Sequence, residues 1–309
     1  MRKKQVLLLC AVCPLVAILV LLAHKPAPSE PSYDGHPLSY WVEMLGEPFR
    51  SAGPDPPPQY QEATKAIDHI GVSALPFLMK WIQYEPPRWR RTLANSLNGN
   101  RFPPVRQLSG LFFDPRARQL SVGAYKAFDA LRTRAMPAFD DLCRFTNDTN
   151  RPSVAFKAAI ALGYLGTNAL SPLLALVANG NHPARVGALA AIHEIGASDN
   201  AAQILVIPAI TNCITDTNRQ VRRMAVTFLG DLTAAPQISV PALISALKST
   251  DYYVRRASAT SLAQFGPQAA SAIPALTNAL VDPDSEVRYS ATGALHQIDP
   301  VTFTNAPSQ

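Results

Sequence analysis

Four residue types recur at a spacing of 33 in the last third of this 309-residue chain. Pro208, Pro241 and Pro274 stand one period apart. So do Val221, Val254 and Val287, then Arg222, Arg255 and Arg288, then Leu229, Leu262 and Leu295. Self-similarity at this period marks stacked supersecondary units, each too small to bury its own apolar face and each completed by its neighbours. It restricts the chain to an array held by short-range interfaces and names no chemistry.

The units are helical. From Tyr60 onward no sustained alternation of apolar and polar residues points to a sheet. The template predicts two helices per unit. The first carries proline in its opening turn, where the missing amide costs nothing, then apolar pairs at Ile210/Ile214, Leu243/Leu247 and Leu276/Leu280. Leu78/Ile82 after Pro76 fits the same pattern. The second helix opens on Asn218, Asp251 or Asp284 as a cap and buries Val221/Ala225/Leu229, Val254/Ser258/Leu262 and Val287/Ala291/Leu295. Farther back, Val154 to Gly166 and Pro183 to Gly196 read as second helices with glycine stops, and Pro137 and Pro172 open first helices. The expectation is six to seven helix pairs, most regular over 170–299 within a solenoid spanning 38–299, with a long irregular insertion at 98–118 and a short tail at 300–309.

The N-terminus carries an address. Met1-Arg2-Lys3-Lys4 precedes an uncharged stretch from Gln5 to Ala23, and Val6–Ala23 is just long enough to cross a bilayer. The stretch ends Leu21-Leu22-Ala23 without a small-x-small site, which favours a retained signal anchor over residues 1–25 rather than a cleaved peptide. The basic flank puts the remainder on the extracytoplasmic side. If the segment is cleaved, the protein is secreted. Residues 26–37 are proline-rich and read as a linker. Setting aside Arg2, Lys3, Lys4 and Lys25 leaves 24 basic against 22 acidic side chains, too balanced for bulk binding of a polyanion.

The template of proline in the first helix, an Asp- or Asn-bearing turn, then Val-Arg opening the second resembles the HEAT repeat over 60–299. Gly35-His36-Pro37-Leu38-Ser39-Tyr40-Trp41 resembles the start of membrane-anchored bacterial envelope HEAT-repeat proteins. The resemblance implies an all-α, right-handed superhelix of antiparallel helix pairs that binds other macromolecules along an extended surface, and no particular activity. Some HEAT-like relatives are enzymes, notably bilin lyases and alkylpurine DNA glycosylases.

Two basic features are candidate binding sites. Arg222, Arg255 and Arg288 recur at one position; a ladder to turn carboxylates and carbonyls near Asp216, Asp251 and Asp282 explains them structurally. Arg223 and Arg256 beside them are the candidates for a partner. The segment 88–118 holds Arg88, Arg90, Arg91, Arg101, Arg106, Arg116 and Arg118 against one acid, Asp114, with Trp89, Phe102, Phe112 and Phe113 interleaved, a mixture suited to anionic lipid, acidic glycan, nucleic acid or a protein. The histidines (His24, His36, His69, His182, His193, His296) have no ligand spacing, so no metal or cofactor is expected. Glu194 beside His193 reads as a solvated position. No nucleophile or phosphate-loop motif occurs, and Cys143 and Cys213 read as free thiols on separate units. The expected function is a non-enzymatic interaction scaffold at the bacterial envelope. The alternatives are a HEAT-like lyase or hydrolase, or membrane-surface binding through 88–118; nucleic acid is not an expected partner.

Overall fold

The computed structural model describes residues 29–47, 56–98 and 114–303. The expected anchor at 1–25 lies outside them, as do Arg101 and Arg106. No helix among the described residues is long and apolar enough to cross a membrane.

The described chain is almost wholly helical. It opens on a two-residue hairpin, β1 (Ser32–Tyr33) and β2 (His36–Pro37), antiparallel with Ser32 opposite Pro37 and Tyr33 opposite His36. Asp34 and Gly35 make the turn with φ of 49° and 75°, a conformation that Asp-Gly accommodates readily. Within the expected linker over 26–37, the described residues from Ser32 to Pro37 thus form a hairpin. The hairpin is docked: Trp41 Nε1 donates to the Tyr33 carbonyl at 3.3 Å, and the Ser39 amide donates to the Glu30 carboxylate at 3.0 Å.

Helix α1 (Leu38–Gly46) follows, then α2 (Pro58–Ile70), α3 (Leu75–Ile82), α4 (Arg88–Asn98) and α5 (Pro115–Leu131). Five helix pairs come next. They are α6 (Phe139–Thr146) with α7 (Pro152–Gly163), α8 (Leu170–Ala178) with α9 (Arg185–Ser198), α10 (Asn200–Asn212) with α11 (Arg219–Asp231), α12 (Pro236–Ala246) with α13 (Tyr252–Gln264), and α14 (Ile273–Ala279) with α15 (Ser285–Ile298). A last turn, α16 (Pro300–Phe303), occupies part of the expected tail. The described ends of the expected insertion are also helical: α4 runs to Asn98, and α5 starts at Pro115 behind the Asp114 cap, whose carboxylate accepts from the Ala117 amide at 3.0 Å.

The predicted columns form the core. Val221, Ala225, Leu229, Val254, Ser258, Leu262, Val287, Ala291 and Leu295 are all buried. Each fully buried valine or leucine contributes about 1.5–3 kcal/mol. Ser258 satisfies its hydroxyl within the helix, donating to the Val254 carbonyl at 2.7 Å. Second helices pack directly on one another, α7 on α9, α11 on α13 and α13 on α15, whereas successive first helices touch far less. Small residues permit this approach. A Cβ on Gly230 would lie 2.7 Å from the Ser261 Cβ, and one on Gly163 would lie 2.8 Å from the Ala191 Cβ. The closeness lapses at two junctions, α5 with α7 and α9 with α11.

Three local expectations need correction. Pro208 and Pro241 lie inside α10 and α12, not in their first turns, whereas Pro274 and Pro76 do open their helices. The earlier starts have strong signals of their own. Asp199 caps α10 by accepting from the Ala201 and Ala202 amides, and Pro236 opens α12. Pro137 falls in the 3₁₀ turn Arg132–Ala138, ahead of α6. Gly196 does not stop α9, which continues to Ser198; its lack of a side chain leaves room for Val206, whose Cγ2 would be 2.8 Å from an added Cβ.

Candidate partner-binding face

The turn before each second helix is built first. Arg255 donates to the carbonyls of Ser249 and Thr250 in its own turn at 2.9 and 3.3 Å, and reaches the next unit with two bonds to Asp282 at 2.8 and 2.9 Å. Arg222 and Arg288 bond their own turns likewise, at the carbonyls of Asp216 and Thr217, and of Asp282 and Pro283. Arg185 plays the inter-unit part for Asp216. The side chains of Arg255 and Asp282 are only 13% and 10% exposed. The three repeated arginines thus all bond turn carbonyls of their own unit, and Arg255 also ties its unit to the next.

The next column differs. Two residues beyond the repeated valines stand Arg223, Arg256 and Tyr289, on the face where second helices lie side by side. Arg223 makes a bidentate pair with Asp251 at 2.9 and 3.1 Å, and Arg219 adds a third contact at 3.2 Å. Hydrogen bonding from Arg223 holds the Asp251 carboxyl down at about 2. Arg256 lies 3.5 Å from Glu286. Between the two arginines sits the Tyr253 ring, its centroid 4.5 Å from the Arg223 guanidinium and 5.0 Å from that of Arg256. Such stacking fixes the ring and both cations without withdrawing them from solvent.

This arrangement leaves two hollows. One of about 670 Å³ lies between α11 and α13 and is lined by Arg219, Arg223, Met224, Thr227, Phe228 and Tyr253. The other, about 510 Å³, lies between α13 and α15 against Thr260, Gln264, Tyr289, His296 and Gln297. Tyr289 is 81% exposed. Amide, hydroxyl, aromatic and compensated cationic groups alternate along the face, which suits an extended polypeptide more than a uniform polyanion.

The second basic candidate is partly described. On α4, Trp89 is 59% exposed, the Arg90 guanidinium lies 5.3 Å from its ring, and Leu93 is 38% exposed. The structure thus does not bring 88–118 together with Arg223 and Arg256 as one site among the described residues; the side chains of Arg88 and Arg91 lie outside the description. His193 stacks on Phe228 with centroids 3.9 Å apart. Its Nε2 is 3.2 Å from Asp231 but makes no well-directed hydrogen bond, and burial pushes its pKa below the usual histidine value. Glu194 is exposed. Among the described residues no group of His, Cys, Asp and Glu could hold a metal, and Cys143 and Cys213 are free.

One residue of chemical interest escaped the sequence reading. Lys157, within the apolar run of α7, is 6% exposed and lines a cavity against α5. A lone charge in Ser153-Val154-Ala155-Phe156-Lys157-Ala158-Ala159-Ile160 was the available signal.

Stacked helix pairs locked by inter-unit arginine pairs define the class: an α-solenoid. Its C-terminal units are similar to HEAT repeats: the family model of that description matches residues 240–305. No protein of curated function matches the chain. Among solved structures, the karyopherin Kap121p bound to the extreme C-terminus of the protein phosphatase Cdc14p is similar, with 14% identity over 84% of this chain and 29% of the karyopherin and a TM-score of 0.54. The complex of CpcE and CpcF of phycocyanin lyase from Nostoc sp. PCC7120 matches at 24% identity over 52% of this chain and 98% of that one, with a TM-score of 0.41. A computationally designed armadillo repeat protein for modular peptide recognition matches at 18% identity over 85% and 100%, with a TM-score of 0.42. The karyopherin likeness carries the fold alone.

Proposed function

We propose that this chain is a non-enzymatic interaction scaffold that takes an extended segment of a protein partner along its second-helix face, held at the bacterial envelope by residues 1–25 with the solenoid extracytoplasmic. The supporting observation is the ring of Tyr253 fixed between Arg223 and Arg256, flanked by hollows that accept side chains from a strand-like ligand. The cations there are compensated by Asp251 and Glu286, so they orient polar groups of a peptide better than they attract an anionic polymer. A karyopherin of similar fold binds the C-terminal end of a phosphatase, which makes an extended segment a reasonable occupant.

Site-specific photocrosslinking in the native host tests this. A crosslinker at the exposed positions Thr227 or Thr260 is expected to capture a discrete partner, and Tyr253→Ala to diminish the adduct; the same probe at Leu205 on α10 captures none. Equal adducts from Leu205, or none from the second-helix face, would sink the reading. An extracytoplasmic solenoid predicts that a C-terminal alkaline phosphatase fusion is active.

A second reading rests on the exposed pair Trp89 and Leu93 beside Arg90, the composition of an interfacial helix. It predicts salt-sensitive binding of the chain lacking residues 1–25 to anionic vesicles, lost when the arginines of 88–118 become serine. Vesicle binding unchanged by those substitutions refutes it.

A further inference from the structure

At the loosened junction of α5 and α7 lies a cavity of about 300 Å³, at the lower end of the size range of small-ligand sites. Phe156, Tyr125 and Val122 give it an aromatic and aliphatic wall, and Lys157 and Ser121 supply polar groups. The lysine is not what the repeat asks for at this place. Three residues beyond the buried valine or its equivalent, the other second helices carry Gly187, Met224, Ala257 and Ser290. Here the packing column holds an amine.

That amine is incompletely satisfied. Nζ donates to the Tyr84 carbonyl at 2.9 Å and to Ser121 Oγ at 2.6 Å, both neutral acceptors. An ammonium has a third N–H, and no carboxylate lies within ion-pair distance of Lys157 among the described residues. The charged groups around it do not close the gap. Glu85 acts from a distance and spends one oxygen on the Ser153 amide at 2.9 Å; Arg151 repels and is paired with Asp148. Asp114, on the cavity wall, caps α5 through the Ala117 amide. Arg118, also on the wall, adds a second cation. A buried charge in such a place is stabilised by a counter-ion supplied from outside.

We propose that this cavity is a binding site for a small organic monocarboxylate with a ring-sized apolar body, its carboxylate on the Lys157 ammonium and its body against Phe156 and Tyr125. The buried ammonium of Lys157 beside the apolar surfaces of Phe156, Tyr125 and Val122 suits a carboxylate that carries an apolar body, and the Asp114 carboxylate on the same wall disfavours a dianion such as phosphate. Burial pushes the Lys157 pKa down to about 8, so the amine loses its charge just above neutrality, and Tyr125, raised by burial, stays neutral throughout that range.

The test uses the full-length chain in a mild detergent, titrated with benzoate, cinnamate and hexanoate and with the neutral isostere benzamide. The expected result is one-to-one binding of at least one carboxylate, about tenfold or more tighter than benzamide, falling as pH rises from 7 to 9.5. Lys157→Met abolishes the preference, and Arg118→Gln weakens it only a few-fold. A second measurement needs no variant: the carboxylate that binds slows acetylation of Lys157, read by mass spectrometry, while the lysines at 65, 80 and 248 react at unchanged rates. Benzamide binding as tightly as the carboxylates, or no carboxylate protecting Lys157, overturns the proposal.

Discussion

Replacing Asp251 by Asn isolates one electrostatic knot of the array. Asp251 joins α11 to α13: its carboxylate accepts from Arg223 at 2.9 and 3.1 Å and from Arg219 at 3.2 Å, lies 4.0 Å from Arg222, and caps α13 through the Tyr253 amide at 3.1 Å. Hydrogen bonding from Arg223 holds its pKa at about 2, against an ordinary carboxyl near 3.8. At about 1.4 kcal/mol per unit, that difference sets an upper bound of roughly 2.5 kcal/mol on the charge's contribution. Arg219 is 63% exposed although Asp251 itself is only 9% exposed, and screening of the exposed cation brings the contribution below that bound. We therefore expect Asp251→Asn to cost about 1–1.5 kcal/mol at neutral pH. Asparagine keeps the capping oxygen, so Asp251→Ala should lose about 1 kcal/mol more.

The assay is urea unfolding followed by circular dichroism, with variant and wild type compared at fixed slope. The sign follows from the depressed pKa. The stabilisation is present above the unfolded carboxyl pKa near 4 and fades as pH falls from there through about 2, because the unfolded chain takes up the proton first. The wild-type advantage over Asp251→Asn should thus shrink to about a third of its neutral-pH value at about pH 2.5. Equal differences at pH 7 and pH 2.5, or none at pH 7, would show that Asp251 acts only as a cap. Because each unit contacts only its neighbours, the loss of hydrogen-exchange protection should centre on α11 and α13.

Gly230→Val places a side chain where Ser261 Oγ would be 2.5 Å from the new Cβ, and displaces the bond from Ser261 to the Val226 carbonyl; a loss of about 2–3 kcal/mol is expected in the same urea assay. Arg132 has φ of 45° at the place after a helix where Gly71, Gly166 and Gly266 have φ of 66°, 76° and 51°, so Arg132→Gly should stabilise by about 1 kcal/mol, read as a raised Tm. Lys157 has its folded pKa below the unfolded one, so between about pH 8 and 10.5 the unfolded chain binds more protons. Wild-type stability relative to Lys157→Met should therefore rise with pH across that window, and a flat difference in urea midpoints would contradict the burial argument.

What was legible in the amino-acid sequence and what was not separate along the columns of the repeat. Positions whose residue type has one physical reason, such as Val254 in the core, Asp251 as a cap and Arg255 on the turn carbonyls, announce the stack and its joints in the sequence itself. Proline misled where a stronger start lay upstream: Asp199 and Pro236 begin α10 and α12 early, leaving Pro208 and Pro241 inside. Gly196 misled because a glycine ending a helix and one admitting a neighbour look the same in sequence. The departures within columns carry the most information, and only contacts reveal which of them matter. Arg132 stands in a glycine column and is strained. Tyr289 stands in the column of Arg223 and Arg256 and opens a hollow. Lys157 stands in a column of Gly187, Met224, Ala257 and Ser290, and its amine lies in a cavity where α5 and α7 pack less closely than α7 with α9, α11 with α13 or α13 with α15. A regular solenoid has no packing use for any of the three. Chemistry in such a fold should therefore be sought where a column is broken at a loosened junction, and among the described residues the α5–α7 cavity combines a buried charge with a broken column.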